Sequence, residues 1–202
     1  MEHHDLKACP DAGIMTDSGQ SDFWDERYQS GHMPWDLRGV PRDLSEYLAR
    51  GRRGGHVLIP GCGLGYEVRA FHGAGWKVAA IDFAPAAVGQ ARALLGDVAS
   101  CVRLADFFRD DPGTGFDLIY ERTFLCSLPV EMWPRYSLRA GSLLRPGGEL
   151  AGVFFYGRDD DPPPHPLTPD AADALFGAAF ELIEDRPIPA AESLPIYATG
   201  ER

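Results

Sequence analysis

From residue 56 onward, short apolar runs alternate with longer stretches in which apolar residues recur every three or four positions. Residues 56–60, 76–81, 101–104, 116–120 and 150–156 read as five strands, and residues 180–183 as a sixth. Residues 66–72 read as a helix with Val68 and Phe71 on one face, closed by Gly73. Ala84-Pro85 opens a second, since proline is tolerated in a first helical turn, and Val88, Ala91 and Leu95 line its inner face. Residues 131–144 form a third, with Trp133, Tyr136, Ala140 and Leu143 or Leu144 inward. Pro146-Gly147-Gly148 reads as a tight turn, and Thr168-Pro169-Asp170 as a helix cap and first turn. Before this alternation, Leu44, Tyr47 and Leu48 mark a helix after Pro41. Strands alternating with helices predict a doubly wound, mostly parallel α/β sheet of the Rossmann-like kind, with right-handed connections and helices on both faces.

The chain has 202 residues, enough for one domain, and 45% are hydrophobic, enough for a full core. Residues 1–20 are polar and aperiodic and read as a flexible leader; residues 21–202 read as a single domain. The net charge of −11 disfavours a phosphate-backbone or anionic-membrane partner. No apolar run is long enough to span a membrane, and no basic-then-apolar leader marks secretion. Cys9, Cys62, Cys101 and Cys126 make no CxxC pair, so the expectation is reduced thiols, no metal and a cytoplasmic setting.

Three features carry candidate chemistry. The run Val57-Leu-Ile-Pro-Gly-Cys-Gly-Leu-Gly-Tyr-Glu67 takes a buried strand into a glycine turn and then a helix. Gly61, Gly63 and Gly65, with Cys62 between them, let the backbone approach a ligand closely. Tyr66 stands where a dinucleotide fingerprint needs its last glycine, which argues against a nicotinamide cofactor. Asp82 ends the next strand 21 residues after Gly61, where an acceptor-only carboxylate can take both hydroxyls of a ribose, with Phe83 beside it. Asp106 and Phe107 follow the third strand. They suit an adenine amino group and ring face, although Phe107 or Phe108 fits ordinary core packing equally well.

The order of these features resembles class I S-adenosylmethionine-dependent methyltransferases. The aromatic leader FWDERYQSGHMPWDL, then VLIPGCGLGYEV, DFF, FDLIYERTFLCSL and LLRPGGEL resemble the thiopurine S-methyltransferase family, nearest its thiol and halide branch, over about residues 21–200. The resemblance implies S-adenosyl-L-methionine as cofactor and a small-molecule methyl acceptor. It implies that Trp24, Tyr28 and Trp35 form an N-terminal helical lid, with a helix packed on the sheet as the alternative. It puts the methionine moiety past Gly61, the ribose on Asp82, adenine between Asp106 and Phe107, and Arg122 toward the cofactor carboxylate or an anionic substrate. Phe124, Cys126, Ser127 and Tyr156 are candidate linings of the acceptor pocket. No general base is assigned, because a thiol near pKa 8.5 supplies thiolate unaided. The family's sheet ends in an antiparallel hairpin whose last strand would run past residue 202, so an incomplete sheet edge is expected. A monomeric thiol methyltransferase is the leading expectation, with halide or selenium and tellurium compounds as other acceptors. A nicotinamide oxidoreductase and a noncatalytic nucleoside-binding domain are the competing classes.

Overall fold

The computed structural model describes residues 17–50, 54–157 and 162–188. Helix α1 (Ser21–Ser30) and helix α2 (Arg42–Ala49) precede the sheet. Strand β1 (His56–Pro60), helix α3 (Tyr66–Gly73), strand β2 (Lys77–Asp82), helix α4 (Pro85–Leu95) and strand β3 (Val102–Leu104) make the first winding. Strand β4 (Phe116–Arg122), helix α5 (Trp133–Leu143), strand β5 (Leu144–Val153) and helix α6 (Pro169–Phe176) follow. The strands pair in parallel in the order β3-β2-β1-β4-β5. The order reverses beside β1, so the space beyond its carboxyl end is a topological switch point, where ligands bind in open α/β sheets.

Strand β1 is apolar and buried from Val57 to Pro60 because both its faces are covered. Val57 and Ile59 pack with Phe71, Trp76 and Leu95 on the α3–α4 side. Leu58 packs with Ile119, Trp133 and Tyr136 on the α5 side. The inner faces expected for the three main helices are buried: Val68 and Phe71, then Val88, Ala91 and Leu95, then Trp133, Tyr136, Ala140 and Leu143. Thr168 caps α6 as expected, its hydroxyl accepting the Ala171 N–H at 3.2 Å.

Helix α1 packs on α4 rather than on the sheet. The Asp25 carboxylate accepts the Ala86 N–H at 2.5 Å, one of the donors that the first turn of α4 leaves unsatisfied. Gln90 of α4 returns a bond to the Tyr28 carbonyl at 2.8 Å. Gly31 then ends α1 in the left-handed region, at φ 72°, and turns the chain toward Trp35.

Two expectations need correction. Residues 180–183 do not form a sixth strand. Phe180 folds back on the end of α6, its N–H bonded to the Phe176 carbonyl at 2.9 Å and its ring 6.0 Å from that of Phe176. Leu182 and Ile183 are then exposed, so this apolar run joins no ladder. The Pro146-Gly147-Gly148 segment is not a turn ahead of the last strand but an excursion within β5. Phe116 pairs with Leu144 and Leu118 with Glu149, so most of the intervening β5 residues loop out. Proline brings no donor to a ladder, and Gly147 takes φ 71°. The first sixteen residues of the expected leader and the chain beyond residue 188, where the closing hairpin would lie, are outside the described residues.

Candidate active site

The glycine turn is locked to the end of β2. Gly61 and Gly63 take φ 58° and 51°, a region that side chains with a β-carbon rarely adopt. The Cys62 N–H donates to the Ile81 carbonyl at 3.1 Å. The Asp82 carboxylate accepts the Gly63 N–H and the Ala84 N–H, each at 3.0 Å. Asp82 is 6% exposed. Burial pushes its carboxyl up to about 6, against the pull of these backbone donors. Gly65 acts differently. It starts α3, and a β-carbon there would lie 2.9 Å from a Leu95 methyl, so it permits the close contact of α3 with α4.

Beyond the strand ends lies a cavity of about 470 Å³, within the usual range for small-molecule sites. Trp24, Tyr28 and Trp35 wall one side, Gly61, Asp82 and Phe83 the floor, and Asp106, Phe107, Phe124 and Ser127 the far side. These three aromatics are held edge to face, Trp24 and Trp35 with centroids 5.4 Å apart and Tyr28 and Trp35 at 5.9 Å. The Trp24 indole N–H donates to the Ser18 carbonyl at 2.8 Å. Burial and the charge of Asp82 hold the Tyr28 phenol well above its ordinary pKa, so it stays a neutral donor. Asp106 accepts the Phe108 N–H at 2.7 Å and pairs with Arg109 at 3.4 Å, which fixes the loop that presents Phe107.

A second compartment of about 70 Å³ opens on the other side of the glycine turn, and Tyr28, Trp35, Gly61 and Thr123 border both. Its walls bring Arg122 from the end of β4 together with Glu67 from the first turn of α3 and Asp36 from the lid loop. Burial raises the Glu67 carboxyl above its ordinary value, and the Arg122 guanidinium pulls it back down. Thr123 follows at φ 60°, costly for a β-branched residue and of the kind that clusters at functional sites.

Most sequence candidates therefore meet at one place. Trp24, Tyr28, Trp35, Gly61, Cys62, Gly63, Asp82, Phe83, Asp106, Phe107, Arg122 and Phe124 border one compartment or both. Gly65, Cys126 and Tyr156 border neither. Cys126 is buried against Phe155 and Trp35, and Tyr156 bridges to Leu167. The sequence reading missed Glu67, Asp36, Arg27 and Arg135. Glu67 and Asp36 lay within quoted motifs, but nothing in their spacing showed that the turn would bring them to Arg122.

Comparison with solved structures defines the class. The fold matches 1,6-didemethyltoxoflavin-N1-methyltransferase of Burkholderia thailandensis, solved with S-adenosylhomocysteine. The TM-score is 0.71 at 20% identity, covering 90% of this chain and 83% of that one. It also matches the magnesium protoporphyrin IX methyltransferase of Synechocystis, solved with S-adenosylmethionine, at TM-score 0.57 and 18% identity over 77% and 68% of the two chains. This is the class I methyltransferase fold. Residues 19–188 match the family model of thiopurine S-methyltransferase, and the chain belongs to that family. A probable thiol methyltransferase 2 of Arabidopsis thaliana is 30% identical, covering 79% of this chain and 74% of that protein. A thiocyanate methyltransferase 1 of Brassica oleracea is 27% identical, over 87% and 82%. The protein is an S-adenosylmethionine-dependent methyltransferase of the S-methylating kind.

The residues present fit that cofactor. The turn is a cradle that side chains would fill: a β-carbon at Gly63 would lie 2.8 Å from the Tyr28 hydroxyl oxygen. The smaller compartment joins a guanidinium with two carboxylates, a match for the opposite charges of an amino-acid tail.

Proposed function

We propose that the enzyme methylates a small thiol, taken as its thiolate, in the part of the larger cavity walled by Phe124, Ser127, Leu128 and Met132. The observation that carries this reading is the pair Arg27 and Arg135 on the wall of that cavity. Arg27 lies over the Phe23 ring, 3.4 Å from its centroid, and donates to the Phe23 carbonyl at 3.0 Å. Arg135 lies over the Phe108 ring at 5.0 Å and donates to the Phe108 carbonyl at 2.9 Å. Ring faces and carbonyls hold these cations in place without neutralising them. In a chain of net charge −11 they make a local positive field that favours an anionic nucleophile.

In the same reading, Asp82 holds the ribose hydroxyls, Asp106 and Phe107 frame the adenine, and Arg122 with Glu67 and Asp36 receives the charged tail. The cofactor, when bound, supplies a methyl group on a positively charged sulfur. Trp24, Tyr28 and Trp35 cover that charge with ring faces and keep water out. Phe124 and Ser127 align the thiolate, and a thiol near pKa 8.5 ionises without a dedicated base. The arginine pair equally favours an inorganic soft anion, as the thiocyanate methyltransferase relative suggests. We take the chain as a leader of residues 1–20 and one domain of residues 21–202, acting as a cytoplasmic monomer on a small molecule. Among the described residues no helix is long and apolar enough to cross a membrane.

The test is methyl transfer from S-adenosylmethionine to a panel of thiols, thiocyanate and iodide. Turnover with an ionised thiol, lowered about tenfold in Arg27→Ala or Arg135→Ala, is expected. Turnover confined to halides, or unchanged in both variants, overturns the thiolate reading.

A further inference from the structure

Glu121, the penultimate residue of β4, is 1% exposed and borders neither compartment. Its Oε2 accepts two backbone N–H groups, Phe124 at 3.1 Å and Leu125 at 2.8 Å. Its Oε1 is buried with no hydrogen-bond partner among the described residues. The residues it ties down form the turn that carries Thr123, Phe124 and Ser127 to the cavity wall. Phe124 is placed tightly: a β-carbon on Gly61 would lie 2.4 Å from its ring. Behind it stands Tyr136 of α5, its ring 5.9 Å from that of Phe124 and its hydroxyl also buried without a partner among the described residues.

We propose that Glu121 is a positioning residue: it clamps the turn after β4 so that Phe124 and Ser127 stand fixed against the glycine turn and the acceptor. A carboxylate is a costly choice for a dry site unless its geometry is needed, because it must lose its hydration to sit there. A merely structural turn could be held by an asparagine or a serine. The close contact of β4 with β5 supports the same point. Gly152 pairs with Glu121, and a β-carbon there would collide with the Glu121 carbonyl, so the backbone under the clamp is fixed as well.

The charged and titratable groups interacting with Glu121 are its neighbours Arg122, which favours the ionised form, and Tyr120, and the Tyr136 phenol on α5. Burial raises the carboxyl to about 7. The ionised form holds the two N–H groups more strongly, since hydrogen bonds to a charged acceptor are about twice as strong as neutral ones. The clamp therefore tightens as pH rises through neutrality.

The kinetic part of the test rests on the thiol reading above; the exchange part does not. In Glu121→Ala, amide hydrogen exchange across residues 123–127 should quicken about tenfold. Peptides from β1 and α4 should stay protected, and affinity for S-adenosylhomocysteine should stay within about threefold. The kcat/KM for 5-thio-2-nitrobenzoate, a thiol ionised throughout the range tested, should fall about tenfold. Glu121→Gln keeps an acceptor oxygen without the charge. It should restore the protection and most of the rate, with the rise in rate through neutral pH removed. Unchanged exchange in the turn, or equal loss of cofactor affinity and of rate, overturns the proposal. Should Glu121→Ala not fold, the pH profile of Glu121→Gln decides, and a wild-type profile overturns it. Faster exchange in a protein that methylates no thiol would refute the acceptor reading and leave the clamp standing.

Discussion

The Asp25 carboxylate of α1 accepts the Ala86 N–H at the start of α4, so the proposed lid is fastened to the helix that follows β2, the strand ending in Asp82. Such a cap contributes about 1 kcal/mol to stability. Asp25→Ala should lower stability by that amount in urea unfolding. It should also weaken S-adenosylhomocysteine binding severalfold in calorimetry, because a lid that closes the site and a brace on α4 are lost together. A stability loss with unchanged affinity would show that α1 only packs.

Asp82 couples cofactor binding to pH. Burial raises its carboxyl to about 6, above its ordinary 3.8. In the proposed pose ribose hydroxyls would donate to the ionised form, so binding should release a proton wherever the free protein still holds one. Affinity for S-adenosylhomocysteine should rise as pH climbs through about 6 and level off above it. Asp82→Asn should bind about tenfold to a hundredfold more weakly, without that rise.

Two buried carboxyls, Asp82 and Glu121, respond to pH with the same sign. Asp82 at about 6 and Glu121 at about 7 both keep a proton in the folded chain that the unfolded chain has lost. Their contribution to stability is complete below about pH 4 and fades as pH rises through about 7. The urea midpoint at pH 8 should therefore gain from Asp82→Asn or Glu121→Gln relative to the same comparison at pH 5. A midpoint difference that does not move with pH would count against both assignments.

The three glycines of the turn should fail in different ways. Gly61→Ala and Gly63→Ala press a β-carbon on Phe124 and on the Tyr28 hydroxyl, at positive φ. They should abolish cofactor binding at a stability cost of about 1–3 kcal/mol. Gly65→Ala meets Leu95 instead, so its effect should be on stability first.

These contrasts also show how far the sequence could be read. The period of the apolar residues located β1 to β4 within a residue or two, because β1 and β4 are buried along most of their length and β2 over its second half. Asp82 was legible because it closes a strand at a telling distance from Gly61. Trp24 and Trp35 were legible as aromatics misplaced among charges. Leu182 and Ile183 misled because a short apolar run specifies a strand only where an edge receives it, and Phe180 had already turned back onto α6. The charge pairing of Arg122 with Glu67 was not legible, since it arises where a turn and a strand end converge. Glu121 was hidden likewise: a charged residue in a strand reads as solvent-facing until the tertiary structure buries it.

Trp35→Ala removes the ring that touches both Trp24 and Tyr28. Turnover should fall at least about tenfold with the fold intact by circular dichroism. Wild-type turnover would remove the lid from the reaction.

Tyr28 and Trp35 border both compartments, so a movement of either ring changes both. One shutter therefore serves two tenants. In the proposed pose the spent donor and the methylated product would both leave past these two rings, and where that motion is slower than methyl transfer it would limit turnover. A kcat that declines as solvent viscosity rises is the expected signature of such shared egress.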